Sequence, residues 1–154
     1  MSMKVAAAAV DEQEHWLKPA EFHMPAGIIG FPEARTIELL YNPEELPFMW
    51  LRCLENPALN FIVVEPRSVL PDYAFELGDE DAAALDILSP EDAFVLNIVT
   101  FKPEAPEAAT VNLIGPVVVN RRTRTGRQIV IANFGEYSAR HPLVAQTAGD
   151  VTGN

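Results

Sequence analysis

Apolar positions along this chain fall into short, largely β-branched runs, each closed by proline, asparagine or glycine. Residues 36–41 follow a Gly-Phe-Pro turn and stop at Asn42-Pro43, and residues 48–54 stop at Asn56-Pro57. Residues 60–65 (NFIVVE) end at Pro66, residues 73–77 alternate Tyr, Ala, Phe, Glu and Leu, and residues 93–101 (AFVLNIVTF) form the longest run. Residues 110–114 and 117–120 are divided by Gly115-Pro116, and residues 128–132 (QIVIA) complete the set. Runs of this length between turn residues predict strands. The 13 prolines scattered among them argue against long helices, because each removes a helical hydrogen bond. Helix is expected only over residues 79–88, where acids occupy the first turn and suit the helix dipole, and over one turn after a Ser89 cap. Residues 116–132 read as a hairpin whose tip spans 121–127, with Gly126 available for a positive φ. The predicted fold is mainly β: a small antiparallel β-barrel or sandwich-like single domain with one or two short helices.

A length of 154 residues gives room for one domain with a real core, and 49% hydrophobic with 21% charged residues is ordinary globular composition. Residues 1–18 read as a poorly ordered lead-in, alanine-rich and then acidic, residues 19–145 as the β domain, and residues 146–154 as a flexible tail. No apolar stretch approaches the roughly 20 residues of a membrane span, and no secretory signal is recognisable, so the cytoplasm is the expected location. Cys53 is the single cysteine and lies in an apolar run, which predicts a buried, inert thiol.

A net charge of −11 disfavours direct nucleic-acid binding and suits either solubility or a basic partner. Asp72, Glu76, Asp79, Glu80, Asp81, Asp86, Glu91 and Asp92 form an acidic stretch with no intervening Lys or Arg. Arg121, Arg122, Arg124 and Arg127 crowd the hairpin tip, where a solvated turn, or pairing with the protein's own acids, outweighs phosphate binding. Candidate chemistry is thin. Nucleophile elbows and phosphate-binding glycine loops are absent, and His15, His23 and His141 lack zinc-type spacing, so no metal, cofactor or catalytic residue is expected. An enzyme would need a polar cavity gathering residues such as Asp72, Tyr137 and His141.

Taken in order, several segments resemble the FliW family of flagellar assembly factors. His23 to Phe31 (HMPAGIIGF) is similar to its Phe-Pro-x-Gly-Ile-Pro-Gly-Phe element, with Met24 in place of an aromatic and Ile29 in place of the second proline. FMWLRCL, LNFIVVEP and PDYAFEL follow in the family's order. TVNLIGPVVVN resembles its T-x-N-L-x-A-P-I-x-I-N element, and a basic turn and YSARHPL close the likeness, which covers about 120 residues. The family's charged first strand is not recognisable in residues 1–19. The resemblance implies a cytoplasmic binding protein, not an enzyme, whose partners are flagellin and the carbon storage regulator CsrA, a basic RNA-binding repressor of flagellin translation. It implies exchange between those partners, with no bond made or broken, and a monomer is expected. The alternative is a chaperone-like module that binds flagellin alone. Candidate contacts are Asp72, Glu76, Asp79, Glu80 and Asp81 for the basic partner, and Phe31, Phe48 and Phe134 for an apolar one. Asn112 and Asn120 are read as keeping the fold.

Overall fold

The computed structural model describes residues 2–6, 20–105 and 108–143. Eleven strands and one α-helix are found among them: β1 (Ser2–Ala6), β2 (Glu21–His23), β3 (Thr36–Leu40), β4 (Met49–Cys53), β5 (Asn60–Val64), β6 (Ala74–Gly78), α1 (Asp79–Ala84), β7 (Ala93–Thr100), β8 (Thr110–Val111), β9 (Val117–Asn120), β10 (Gly126–Gln128) and β11 (His141–Pro142). The mainly β expectation holds, with every ladder antiparallel.

A long sheet runs β10-β9-β7-β5-β4-β3-β2, and β8, flanked by β11, also pairs with β7. The sheet curls until its two ends meet at one parallel bridge, His23 to Thr125, where the His23 N–H donates to the Arg124 carbonyl at 2.8 Å. One bridge does not close a barrel. The sandwich-like description is therefore the apt one, because a two-stranded layer, β1 against β6, covers the outer face.

The strand period of two sorts the core. Along β7, Phe94 and Leu96 point into the curl, where they meet Phe22, Ile37, Leu51, Val63 and Val117. Val95 and Val99 point outward and pack beneath Val5, Phe75 and Leu77 of the β1–β6 layer. Tyr73 is buried there too, and its hydroxyl donates to the Leu113 carbonyl at 2.6 Å, which satisfies the one polar atom it carries inward. Burial holds that phenol well above the ordinary tyrosine range. Cys53 is fully buried, as its apolar neighbours predict.

Several sequence expectations are corrected. Ser2–Ala6, assigned to a poorly ordered lead-in, is a strand whose register runs from Ser2 opposite Gly78 to Ala6 opposite Ala74. The rest of that lead-in, residues 7–18, and the tail at 146–154 lie outside the described residues. The hairpin return is Gly126–Gln128 and not 128–132. The Ile129 and Ile131 N–H groups still donate to the Pro116 and Ile114 carbonyls, but without a ladder. Positive φ at the tip belongs to Arg124 (62°) instead of Gly126. Gly126 has a different reason to be glycine: a Cβ there would sit 3.0 Å from Val119 Cγ2 and 3.3 Å from Phe22 Cδ2, where the curled ends of the sheet meet. Gly27 and Gly30, by contrast, take φ of 71° and 89° in the reversal before β3.

Candidate functional site

The acidic stretch does not form one surface. Asp72 lies in the turn before β6, and α1 begins after it, so five extended residues of β6 put Asp72 roughly 20 Å from the α1 acids. Glu76, on β6, is half-buried and accepts the Ser2 hydroxyl from β1. Asp79, Glu80 and Asp81 fill the first turn of α1, and Asp79 and Glu80 are exposed.

The arginine hairpin folds back on these acids. Arg127 Nη1 donates to Asp81 Oδ1 at 2.9 Å, and Arg122 sits 3.4 Å from Asp92 and 3.8 Å from Asp86. Asn120 holds the Arg122 end of this arrangement. It is fully buried, its amide donates to the Leu85 and Asp86 carbonyls at 2.7 and 2.9 Å, and its Oδ1 accepts the Arg122 N–H at 2.7 Å. One side chain thereby ties the end of the helical segment to the hairpin tip. Asn112 works similarly, accepting the Ile114 and Gly115 N–H groups at 3.0 and 2.9 Å, so both asparagines hold backbone in place. The ion pairs are partly exposed, at 38% and 25% for Arg127 and Asp81, and each such pair is worth about 0.2–1 kcal/mol. Charge left toward solvent is concentrated at Glu80, Glu91 and the α1 start, with the Glu91 carboxyl held below its usual value by the Ser89 hydroxyl.

The three aromatic candidates diverge. Phe134 is 59% exposed in a short turn before β11. Phe48 is half-buried against the outer core and enters its strand on the covered face of the sheet. Phe31 is exposed and packs edge-on to Phe61, ring centroids 5.2 Å apart.

That aromatic pair marks a trough of about 570 Å³ at one mouth of the curled sheet. Ile98 and Thr100 continue the inward-facing row of Leu96 beyond the packed core and form its floor with Phe61. The 28–31 reversal makes one wall, and Ala139 and Arg140 belong to the other. Gln128 braces the first wall, accepting the Ile29 N–H at 2.9 Å and donating to the Gly115 carbonyl at 2.9 Å. The Ile29 side chain is left 62% exposed at the rim. Among the described residues, Lys102 and Arg140 are the lining residues that carry charge. Sequence reasoning singled out Phe31 but missed Ile29, Phe61, Ile98, Lys102 and Arg140. The one available signal was Ile29, an exposed branched side chain between glycines where the family resemblance expects proline.

Tyr137 and Ser138 are engaged in hydrogen bonds to the backbone. Tyr137 places its hydroxyl against the backbone of Ala74, at 3.0 and 3.1 Å, and its ring against Tyr73. Ser138 Oγ accepts the Arg140 N–H at 3.0 Å. Neither the trough nor a small cavity of about 20 Å³ beside Tyr73 and Arg121 is lined by Asp72, Tyr137 or His141. No group of three or more His, Cys, Asp or Glu side chains is placed to hold a metal ion, and no helix is long and apolar enough to cross a membrane, both among the described residues.

Comparison with known proteins agrees with the order of segments. The family model described as FliW protein matches residues 4–143 and so begins inside β1. The flagellar assembly factor FliW of Geotalea uraniireducens (strain Rf4) is 44% identical over 79% of this chain and 72% of its own. That of Natranaerobius thermophilus is 37% identical, covering 77% and 78% respectively. A crystal structure of the flagellar assembly factor FliW superposes with a TM-score of 0.71 at 28% identity, covering 93% of this chain and 96% of that one. With sequence, element order and fold in agreement over nearly its whole described length, the chain belongs to the FliW family of flagellar assembly factors.

Proposed function

We propose that this protein binds flagellin and the translational regulator CsrA in the cytoplasm and works by exchanging one for the other. Flagellin bound here leaves CsrA free to repress flagellin translation, and release of flagellin frees this protein to remove CsrA from its RNA. The supporting observation is the separation of two surfaces of unlike chemistry. One is an acidic face at α1, suited to a basic partner; the other is a trough at the sheet mouth that mixes apolar and polar side chains and whose charged lining, among the described residues, is cationic. A difference of affinities suffices for such a switch, and no covalent step is needed.

The test is reconstitution. Purified protein is mixed with flagellin monomer, with CsrA, and with both, and complexes are resolved by size-exclusion chromatography with light scattering. Binding of each partner, and displacement of CsrA by added flagellin, is the expected result. Capture of flagellin with no CsrA complex would favour the chaperone-like alternative, and capture of neither would refute both.

A further inference from the structure

The geometry points to the sheet-mouth trough as the docking site for a flagellin segment that presents apolar side chains next to a carboxylate, with Lys102 and Arg140 reading that carboxylate. This rests on the flagellin-binding reading and goes beyond it by naming the surface and the chemistry it selects.

Three observations converge. The trough, about 570 Å³, falls within the range of about 300–1,000 Å³ common to ligand sites, and mouths of curled β structures are frequent places for them. Its floor is inner-core face left uncovered: Ile98 and Phe61 stand on the same face as fully buried Leu96 and Val63, yet only half-buried themselves. Ile29 and Phe31 extend the same apolar surface up one wall.

Charge then selects the occupant. The protein carries 22 acidic against 11 basic residues, yet among the described residues the charged ones lining the trough are two cations and no acid. Neither Lys102 nor Arg140 forms an ion pair with another described residue, whereas Arg52, Arg122 and Arg127 each do. Two like charges at the rim of an apolar surface repel a basic protein and attract a carboxylate, so this site disfavours CsrA and favours an acid-flanked apolar segment. The polar lining competes little: Gln128 is already committed to Ile29 and Gly115, and Asn112 Oδ1 to two backbone N–H groups.

The experiment uses the intact protein and purified flagellin monomer. Lys102→Glu with Arg140→Glu removes two attractions and adds two repulsions at exposed sites, which should weaken flagellin binding roughly tenfold at low ionic strength. Lys102→Gln with Arg140→Gln should fall between parent and reversal, and CsrA binding should not weaken in either. In parallel, a photocrosslinking amino acid in place of Ile29 reports the occupant without disturbing charge. Adducts to a flagellin peptide with Asp or Glu beside apolar residues support the site. Unchanged flagellin affinity in the folded reversal variant overturns it. So do crosslinks from position 29 to this chain's residues 144–154 or to a second copy. A parent protein that fails to bind flagellin overturns the functional reading itself, and is distinguished because no variant is needed to see it.

Discussion

Gly126 and Gly27 carry different constraints, and the difference is measurable. A Cβ on Gly126 meets side-chain atoms, Val119 Cγ2 and Phe22 Cδ2, which can shift by tenths of an ångström within a packed core. Gly126→Ala should therefore destabilise by about 1–3 kcal/mol in urea denaturation. A Cβ on Gly27 meets the Phe31 carbonyl oxygen at 2.6 Å and Pro32 backbone at 2.7 Å, in a residue already at φ +71°. Neither the backbone contact nor the left-handed conformation can relax, so Gly27→Ala should cost about 3 kcal/mol or more and distort the trough wall. Glu55 offers a pH test. The Thr36 N–H at 3.0 Å, and then its hydroxyl at 2.7 Å, hold the carboxyl down from 4.5 to about 2. A depressed carboxylate stabilises above its unfolded value and loses that effect as pH falls, here between 4.5 and about 2. The urea-midpoint gap between parent and Glu55→Gln should accordingly shrink as pH drops through that window, and a pH-independent gap would show that the charge contributes nothing. Cys53, fully buried, should react with thiol reagents only on the timescale of unfolding.

Among elements, the contact between α1 and the arginine hairpin decides how the acids act. A double-mutant cycle on Asp81 and Arg127 should give a coupling of about 0.2–1 kcal/mol that diminishes with added salt. Since Asp81 is paired within the fold, Glu80 is the better probe of the basic partner: Glu80→Lys should slow CsrA association severalfold at low salt while leaving flagellin binding intact. Stopped-flow rates check this, and an unchanged rate would assign the acids to solubility alone. The interior strands β3, β4, β5, β7 and β9 were legible to within a residue or two, because each is a β-branched or large apolar run stopped by a turn residue. β1 was not, because Ser2–Ala6 buries only Val5 fully and owes its existence to β6, some 70 residues away. The same limit hid the trough. Phe61 and Ile98 read as ordinary core positions until β5 and β7 are placed side by side and the curl leaves their end open. The arginine–aspartate pairs were foreseeable as a preference but not as partners, since Asn120 places Arg122 beside Asp86 and Asp92 while β10 carries Arg127 to Asp81.

For the molecule as a whole, the α1 acids and the trough cations Lys102 and Arg140 stand on different elements, with β10 touching both surfaces through Arg127 and Gln128. Charge reversal at α1 and at Lys102 and Arg140 should thus give independent, additive effects on the two partners. The outer layer also bears on how the protein is born. Its first strand is made well before its hydrogen-bonding partner, which spans positions 74–78. At about 5–20 residues per second, β1 waits roughly 4–14 s during translation before β6 has even been synthesised. Throughout that interval Val5 lacks its β6 neighbours Phe75 and Leu77, while the hairpins β2–β3 and β4–β5 pair among themselves. Arrested nascent chains ending before β6 should therefore remain open to protease at Ser2–Ala6, and protection should arrive in one step once the Ala74–Gly78 strand has cleared the exit tunnel.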